Sequence, residues 1–161
     1  MFKKIKQFNK SFKVCYVFMS RKFPIVLIID DSQSFRLFTK EVIKKTIKWV
    51  RVFGAKDGLE GLKLYQHCKP DLILLDLNMP KLHGSKVLEV IMKNDSDVKV
   101  IITTAYDDNQ ETISHLIKMG ACNFLAKPMN RMTLMKTITD TLYSRKIAVT
   151  HNQISKLAMS E

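Results

Sequence analysis

The chain has 161 residues, of which 46% are hydrophobic and 26% are charged. This composition excludes a wholly disordered chain and is typical of one globular domain with a buried core. Its net charge is +12, and its three cysteines (Cys15, Cys68 and Cys122) lack the spacing of a disulfide framework or a zinc site. We therefore expect a protein of the reducing, cytoplasmic compartment.

The positive charge is concentrated at the start of the chain. Residues 1–22 contain seven Lys and Arg and no acid, whereas the other 139 residues contain 20 basic and 15 acidic groups, a net charge of +5. We expect residues 1–22 to be a basic, disordered extension, which would be absent if translation began at Met19. Phe2, Ile5, Phe8 and Phe12 recur at roughly helical spacing, so binding to an anionic membrane surface or to nucleic acid is an open alternative. No apolar run approaches the roughly 18 residues that a membrane span requires.

From Phe23 onward, strand and helix patterns alternate. In chain order the predicted elements are a strand at 24–29, a helix from a Ser32 cap to Lys48, a strand at 49–53 that includes Trp49, a helix at 57–68, a strand at 71–76, a helix after Gly84, a strand at 98–104, a helix at 107–119, a strand at 121–126 and a helix at 129–146. Five β/α units with short connections predict an α/β fold with a doubly wound five-stranded parallel sheet.

Two strands of this sheet end on carboxylates. Residues 72–75 are apolar without alternation, which indicates a strand buried on both faces, and the run ends on Asp76. The run at 24–29 ends in the same way, on Asp30 and Asp31. A solvated acid at a strand end is the simplest interpretation of either one alone. If the strands are neighbours, three carboxylates converge, and Mg²⁺ is the cation that such hard oxygen ligands favour.

Two further strands carry polar groups to the same edge. The strand at 98–104 ends on Thr104, a hydroxyl, and Lys127 follows the strand at 121–126. Carboxylates, a metal, a hydroxyl and an ammonium group together suit a tetrahedral dianion. Asp76 is then the candidate nucleophile toward phosphorus, with Thr104 and Lys127 holding phosphoryl oxygens.

These residues occur in four ordered blocks that resemble the receiver domain of two-component response regulators. The blocks are Asp30-Asp31, Asp76 to Pro80 with Gly84, Thr104-Ala105, and Gly120 to Pro128, and the resemblance covers about residues 24–145. It implies a flavodoxin-like (βα)5 fold with strand order 2-1-3-4-5.

The resemblance also implies a role for each matching position. Asp76 is similar to the phosphoacceptor, Asp31 to a direct Mg²⁺ ligand, and Asp30 to a ligand acting through water. Asn78 would offer its backbone carbonyl to the metal. Lys127 would contact the phosphoryl group, with a cis bond before Pro128.

A switch and a rate control are implied in the same way. Thr104 resembles the hydroxyl that moves toward the phosphoryl group, and Phe124 the aromatic that then turns inward. Asn78 and Tyr106 occupy positions that tune dephosphorylation, and the bulk of Tyr106 predicts slow hydrolysis. The chain departs from the usual pattern at His83, where many members have an acid.

We expect residues 23–146 to form a stand-alone receiver of the chemotaxis type, followed by a short tail at 147–161 and by no DNA-binding domain. A histidine kinase or phosphotransfer protein would be the donor, and a target protein would dock on the face of the fourth helix, fifth strand and fifth helix, in a monomer or weak dimer. The residues expected in that exposed patch are Lys118, Met119, Arg131 and Lys136. The alternatives are a phosphorelay intermediate and, less favoured because Asn78 replaces a second acid, a phosphatase-like enzyme.

Overall fold

The computed structural model describes residues 23–105 and 110–144. The predicted basic extension, Tyr106 and the predicted C-terminal tail lie outside the described residues. Within those two ranges, five strands alternate with five helices. They are β1 (Ile25–Ile29), α1 (Gln33–Thr46), β2 (Arg51–Ala55), α2 (Gly58–Cys68), β3 (Leu72–Asp76), α3 (Gly84–Asn94), β4 (Lys99–Ala105), α4 (Gln110–Lys118), β5 (Asn123–Lys127) and α5 (Arg131–Tyr143).

The strands form one sheet in the order β2-β1-β3-β4-β5, and every neighbouring pair is parallel. The predicted α/β class, the flavodoxin-like (βα)5 arrangement and the strand order 2-1-3-4-5 are confirmed. β2 lies on the outer side of β1, and β4 and β5 lie on the outer side of β3, so the direction in which strands are added reverses between β1 and β3. The crevice beyond the carboxyl ends of these two strands is where sheets of this kind bind their ligands.

The two central strands are buried on both faces. Successive side chains point to opposite faces of a strand, so each strand contributes to two cores. One core joins Leu27, Ile73 and other alternate residues to α2, α3 and α4, and the second joins Val26, Leu74 and their counterparts to α1 and α5. The absence of alternation in the sequence is therefore the signature of a sheet covered by helices on both faces.

Side-chain caps fix the beginning of several helices. The Ser32 hydroxyl accepts a hydrogen bond from the Phe35 amide, as the sequence predicted, and Asp57 accepts one from the Glu60 amide at 2.9 Å. Each cap satisfies an amide that has no partner within the first turn. These caps set where α1 and α2 leave the carboxyl edge of the sheet.

The prediction that Trp49 lies in a strand is wrong. Trp49 has φ of 63° and a side chain that is 74% exposed, and β2 begins two residues later. Its ring packs against Phe23 with the centroids 5.7 Å apart. Gly54, predicted to end the strand, lies inside it. The aromatic and β-branched composition of 49–53 indicated a strand but could not identify the left-handed turn that precedes it.

The predicted starts of β5 and α5 are also early by two residues. Gly120 has φ of 110°, and the Ala121 amide donates to the Leu116 carbonyl, so Ala121 is part of the turn that caps the end of α4. The Asn130 side chain accepts a hydrogen bond from the Thr133 amide and begins α5 there rather than at Met129. A backbone hydrogen bond sets the first boundary and a side-chain cap sets the second, and the apolar pattern encodes neither of them.

No helix in the two described ranges is both long and apolar enough to span a membrane.

Gly84 is required by a close approach of two backbones. A Cβ atom there would lie 2.1 Å from the Asp76 carbonyl oxygen and 2.8 Å from Leu77 Cα. We predict that Gly84→Ala lowers the free energy of unfolding by about 3 kcal/mol, because backbone must move to accept the methyl group.

Gly54→Ala is the matched control, since the nearest atom to its Cβ is Arg36 Cδ at 3.7 Å, an ordinary contact. Its unfolding free energy should stay within about 1 kcal/mol of the wild type. Urea denaturation of both variants measures the difference. Equal stability of the two variants would contradict the proposed clash.

Candidate functional site

Four strands bring polar side chains to the same edge of the sheet. Asp30 follows β1, Asp76 ends β3, Thr104 lies near the end of β4 and Lys127 ends β5. The parallel register sets Asp76 beside Thr103, so the strand ends are level. The sheet thus brings together side chains that are up to 97 residues apart in sequence.

Asp30, Asp31 and Asp76 form an acidic cluster. One carboxylate oxygen from each residue lies within 4.8 Å of the other two. Asp30 and Asp76 are only 1% and 4% exposed, whereas Asp31 faces solvent. Buried carboxylates this close together repel one another unless a cation lies between them.

The cluster fits Mg²⁺ by its donor set. All three ligands are hard carboxylate oxygens, and the exposed position of Asp31 leaves the outer side open to the water molecules that Mg²⁺ retains. Asn78 is exposed on the adjoining loop, where its carbonyl is a further candidate ligand. Asp30, Asp31 and Asp76, with the Asn78 backbone, are the residues that would hold the ion.

Lys127 supplies positive charge to the cluster. Its Nζ lies 2.7 Å from Asp30 Oδ2 and 3.1 Å from Asp76 Oδ2, so one ammonium group bridges two buried carboxylates. The Lys127–Pro128 peptide bond is cis, as predicted. The lysine thus lies where it would meet a group attached to Asp76.

Burial raises the pKa of Asp76 above its usual range. The nearby Lys127 and a hydrogen bond from the Asn78 amide act in the opposite direction, and Asp30 adds to the increase by repulsion. Keeping Asp76 as a carboxylate therefore lowers the stability of the fold, and the binding of a further cation reduces this loss of stability.

Thr104 lies on β4 beside Ala126 of β5, and Phe124 lies two residues earlier on β5, beside Ile102. Thr104 is 5% exposed, and its hydroxyl donates to the Ala105 carbonyl at 3.2 Å. Phe124 is half-buried against the core shared with α2, α3 and α4. The switching role of both residues remains a prediction.

Two supporting contacts were not foreseen from the sequence. Arg36 Nη1 donates to the carbonyls of Asp30 and Asp31 at 2.7 and 2.9 Å and so holds the acidic loop against α1. Lys81, in the loop after β3, donates to the buried Asp57 at the start of α2. Neither contact could be predicted from hydrophobic periodicity. Arg36 reaches back across the turn before α1, and Lys81 reaches from one loop to another.

The predicted docking patch needs correction. Lys118 and Lys136 are exposed, but Met119 is half-buried against the core. Arg131 is exposed, as predicted, and its guanidinium pairs with Glu41 of α1 at 3.3 Å. Helical periodicity alone did not determine which neighbour each side of α5 would meet.

Two remaining candidates have separate outcomes. His83 is exposed and is the N-cap of α3, where its ring nitrogen accepts a hydrogen bond from the Ser85 amide. Its place outside the acidic cluster agrees with the expectation from sequence. Tyr106 falls between the two described ranges, so its rate-tuning role stays a prediction.

The fold and the acidic edge define a class of α/β protein, the receiver domains. Residues 26–139 match the family described as the response regulator receiver domain. This match covers most of the 161 residues, and the chain therefore belongs to the response regulator receiver family of two-component signalling.

Particular relatives are similar over different fractions of their length. Chemotaxis protein CheY of Listeria monocytogenes is 34% identical over 113 residues, which cover 70% of this chain and 93% of that protein. The transcriptional regulatory protein DegU of Brevibacillus brevis is 32% identical over 113 residues, which cover 70% of this chain but only 48% of DegU. Several curated relatives are therefore longer proteins, of which this chain spans half or less.

A solved structure supports the same fold. The chemotaxis protein CheY4 of Vibrio cholerae superposes with a TM-score of 0.68 at 26% identity, over 74% of this chain and 98% of CheY4.

The raised pKa of Asp76 leads to a prediction about stability. A carboxyl whose pKa is raised by folding favours the native state while it is protonated, below its ordinary value of 3.8, and this contribution is lost as pH rises through the raised pKa. Asp76→Asn stays neutral, so without Mg²⁺ it should be more stable than the wild type near neutral pH. The difference should shrink in acid.

Urea denaturation over a pH series measures this difference. Asp97→Asn, which removes an exposed carboxylate near the start of β4, is the control and should show no such pH-dependent gain. A variant less stable than the wild type at neutral pH would show that ion pairing outweighs burial at Asp76.

Proposed function

We propose that this chain is a phosphoaccepting switch of the chemotaxis type. Asp76 accepts a phosphoryl group from a histidine kinase or a histidine phosphotransfer protein in a Mg²⁺-dependent reaction. The phosphorylated form then binds a target protein through the face of α4, β5 and α5. The observation that carries the proposal is the convergence of Asp30, Asp31 and Asp76 with one bridging Lys127 ammonium group.

The chemistry follows from the positions of these groups. A carboxylate oxygen of Asp76 attacks phosphorus, the bond from phosphorus to the donor nitrogen breaks, and that nitrogen keeps the electron pair. Mg²⁺ would supply charge compensation for the phosphoryl oxygens. Lys127, already 3.1 Å from Asp76, would exchange a carboxylate oxygen for a phosphoryl oxygen. The Thr104 hydroxyl would donate a hydrogen bond to another phosphoryl oxygen. Its movement would leave room for the Phe124 ring to turn inward.

Similarity over 93% of a chemotaxis protein supports the assignment to a regulator that acts by binding a partner. A phosphorelay intermediate would use the same chemistry and then transfer the phosphoryl group to another protein.

We also propose a cytoplasmic location, in keeping with cysteines that lack a disulfide framework.

The central test is phosphorylation by acetyl phosphate, read by intact mass. We expect the full chain to gain one phosphoryl group only with Mg²⁺, and Asp76→Asn to gain none, because it lacks the nucleophile. Asp97→Asn should be phosphorylated like the wild type. A gain that survives in Asp76→Asn would mean a different acceptor, and a folded wild type that gains nothing with Mg²⁺ bound would contradict the proposed chemistry.

The second test concerns the lifetime of the phosphorylated form. A bulky Tyr106 and Asn78 are both proposed to limit the approach of the attacking water to the phosphoryl group. We expect Tyr106→Ala and Tyr106→Glu to lose the phosphoryl group faster than the wild type, and Tyr106→Phe, which keeps the bulk, to lose it at the wild-type rate. The decay of the phosphorylated mass after removal of the donor measures this rate. Equal decay in all four proteins would contradict the assigned role.

A further inference from the structure

An aromatic ring contacts the lysine of the site. Lys127 Nζ lies 4.5 Å from the centroid of the Phe35 ring, which α1 presents from its first turn. The face of an aromatic ring carries partial negative charge and attracts an ammonium group at this distance. Lys127 is thus held by Asp30, Asp76 and the Phe35 ring together.

The ring differs from the two carboxylates in one important respect. In the proposed reaction, metal binding and phosphorylation change the charge around Asp30 and Asp76, so both ion pairs with Lys127 change as well. The attraction of the Phe35 ring does not depend on a proton, a metal or a phosphoryl group. Lys127 is flexible along its four-carbon stem, and its side chain is 23% exposed, so it needs a constant contact to keep its place.

We propose that Phe35 is a positioning residue that holds the Lys127 ammonium group over Asp76 before and during phosphoryl transfer. This inference rests on the proposed function of Asp76. Phe35 itself would contact no phosphoryl oxygen and would act only through Lys127.

The same helix offers a matched control. Phe38 lies one turn further along α1, and both rings line a groove of about 520 Å³ together with Pro128 and Met129. Phe38 also has a cation over its ring, Arg131 at 5.9 Å. That cation pairs with Glu41 rather than with the acidic cluster. Phe38→Leu therefore removes an aromatic ring, a cation contact and groove surface without removing a contact to Lys127.

The first experiment compares phosphorylation rates in the full chain with acetyl phosphate at fixed Mg²⁺. Phe35→Leu keeps an apolar side chain but loses the ring, and its rate should fall about fivefold, the effect of a cation–π contact near 1 kcal/mol. Phe35→Tyr keeps the ring and should retain a rate within about twofold of the wild type. Phe38→Leu should react at the wild-type rate, and Mg²⁺ affinity should be the same in all of these proteins.

A second series separates attraction from packing. Fluorine atoms on the Phe35 ring withdraw electron density from its face and change its shape little. With one, two and three fluorines the phosphorylation rate should fall stepwise. A rate that is independent of fluorination would overturn the proposal, because a purely structural role would give that result.

Nuclear magnetic resonance tests the contact without phosphorylation. The methylene protons of Lys127 next to Nζ should be shifted upfield by the ring in the wild type and in Phe38→Leu, but not in Phe35→Leu. Unshifted signals in the wild type, or an unchanged phosphorylation rate in Phe35→Leu, would overturn the role of Phe35. A wild type that is never phosphorylated, or a phosphorylated Asp76→Asn, would instead overturn the proposed function, and the Lys127 signals would still decide whether Phe35 holds the lysine.

Discussion

One ammonium group shared by two buried carboxylates is the interaction on which the rest of the site depends. Lys127 comes from β5, whereas Asp30 and Asp76 come from β1 and β3, so the contact joins three strands at one edge. Removing Lys127 would leave both carboxylates buried without a compensating charge, and this loss costs more stability than an ion pair ordinarily contributes. The sheet can therefore hold these acids only while a cation remains beside them.

The surroundings of this cluster are fixed by contacts that do not change with its charge. Arg36 holds the carbonyls of the acidic loop, and the Lys81 pair with Asp57 joins the loop after Asp76 to the start of α2. The absence of a side chain at Gly84 lets that loop pass against the backbone of β3. These contacts restrict the movement of the side chains at the edge of the sheet. A group held in one position and orientation reacts faster than a mobile one.

Membership in the receiver family and the geometry of the site support each other but inform different questions. The match over residues 26–139 defines the fold and the signalling class. Because the relatives differ in total length, the match defines the receiver fold that they share and not a particular partner. On α5 both Arg131 and Lys136 are exposed, but Arg131 pairs with Glu41 of α1.

The sequence by itself determined the fold class, the strand order through family resemblance, and the acids and lysine of the edge. Buried strands, capping residues and strand-end charges are local patterns, and Asp30, Asp76 and Lys127 each follow from one of them. The tertiary structure alone decided which groups meet: the ring of Phe35 beside Lys127, and the side of α5 that Arg131 occupies. It also decided the turn at Trp49. Contacts between elements depend on packing angles and side-chain reach, and these have no period in the sequence.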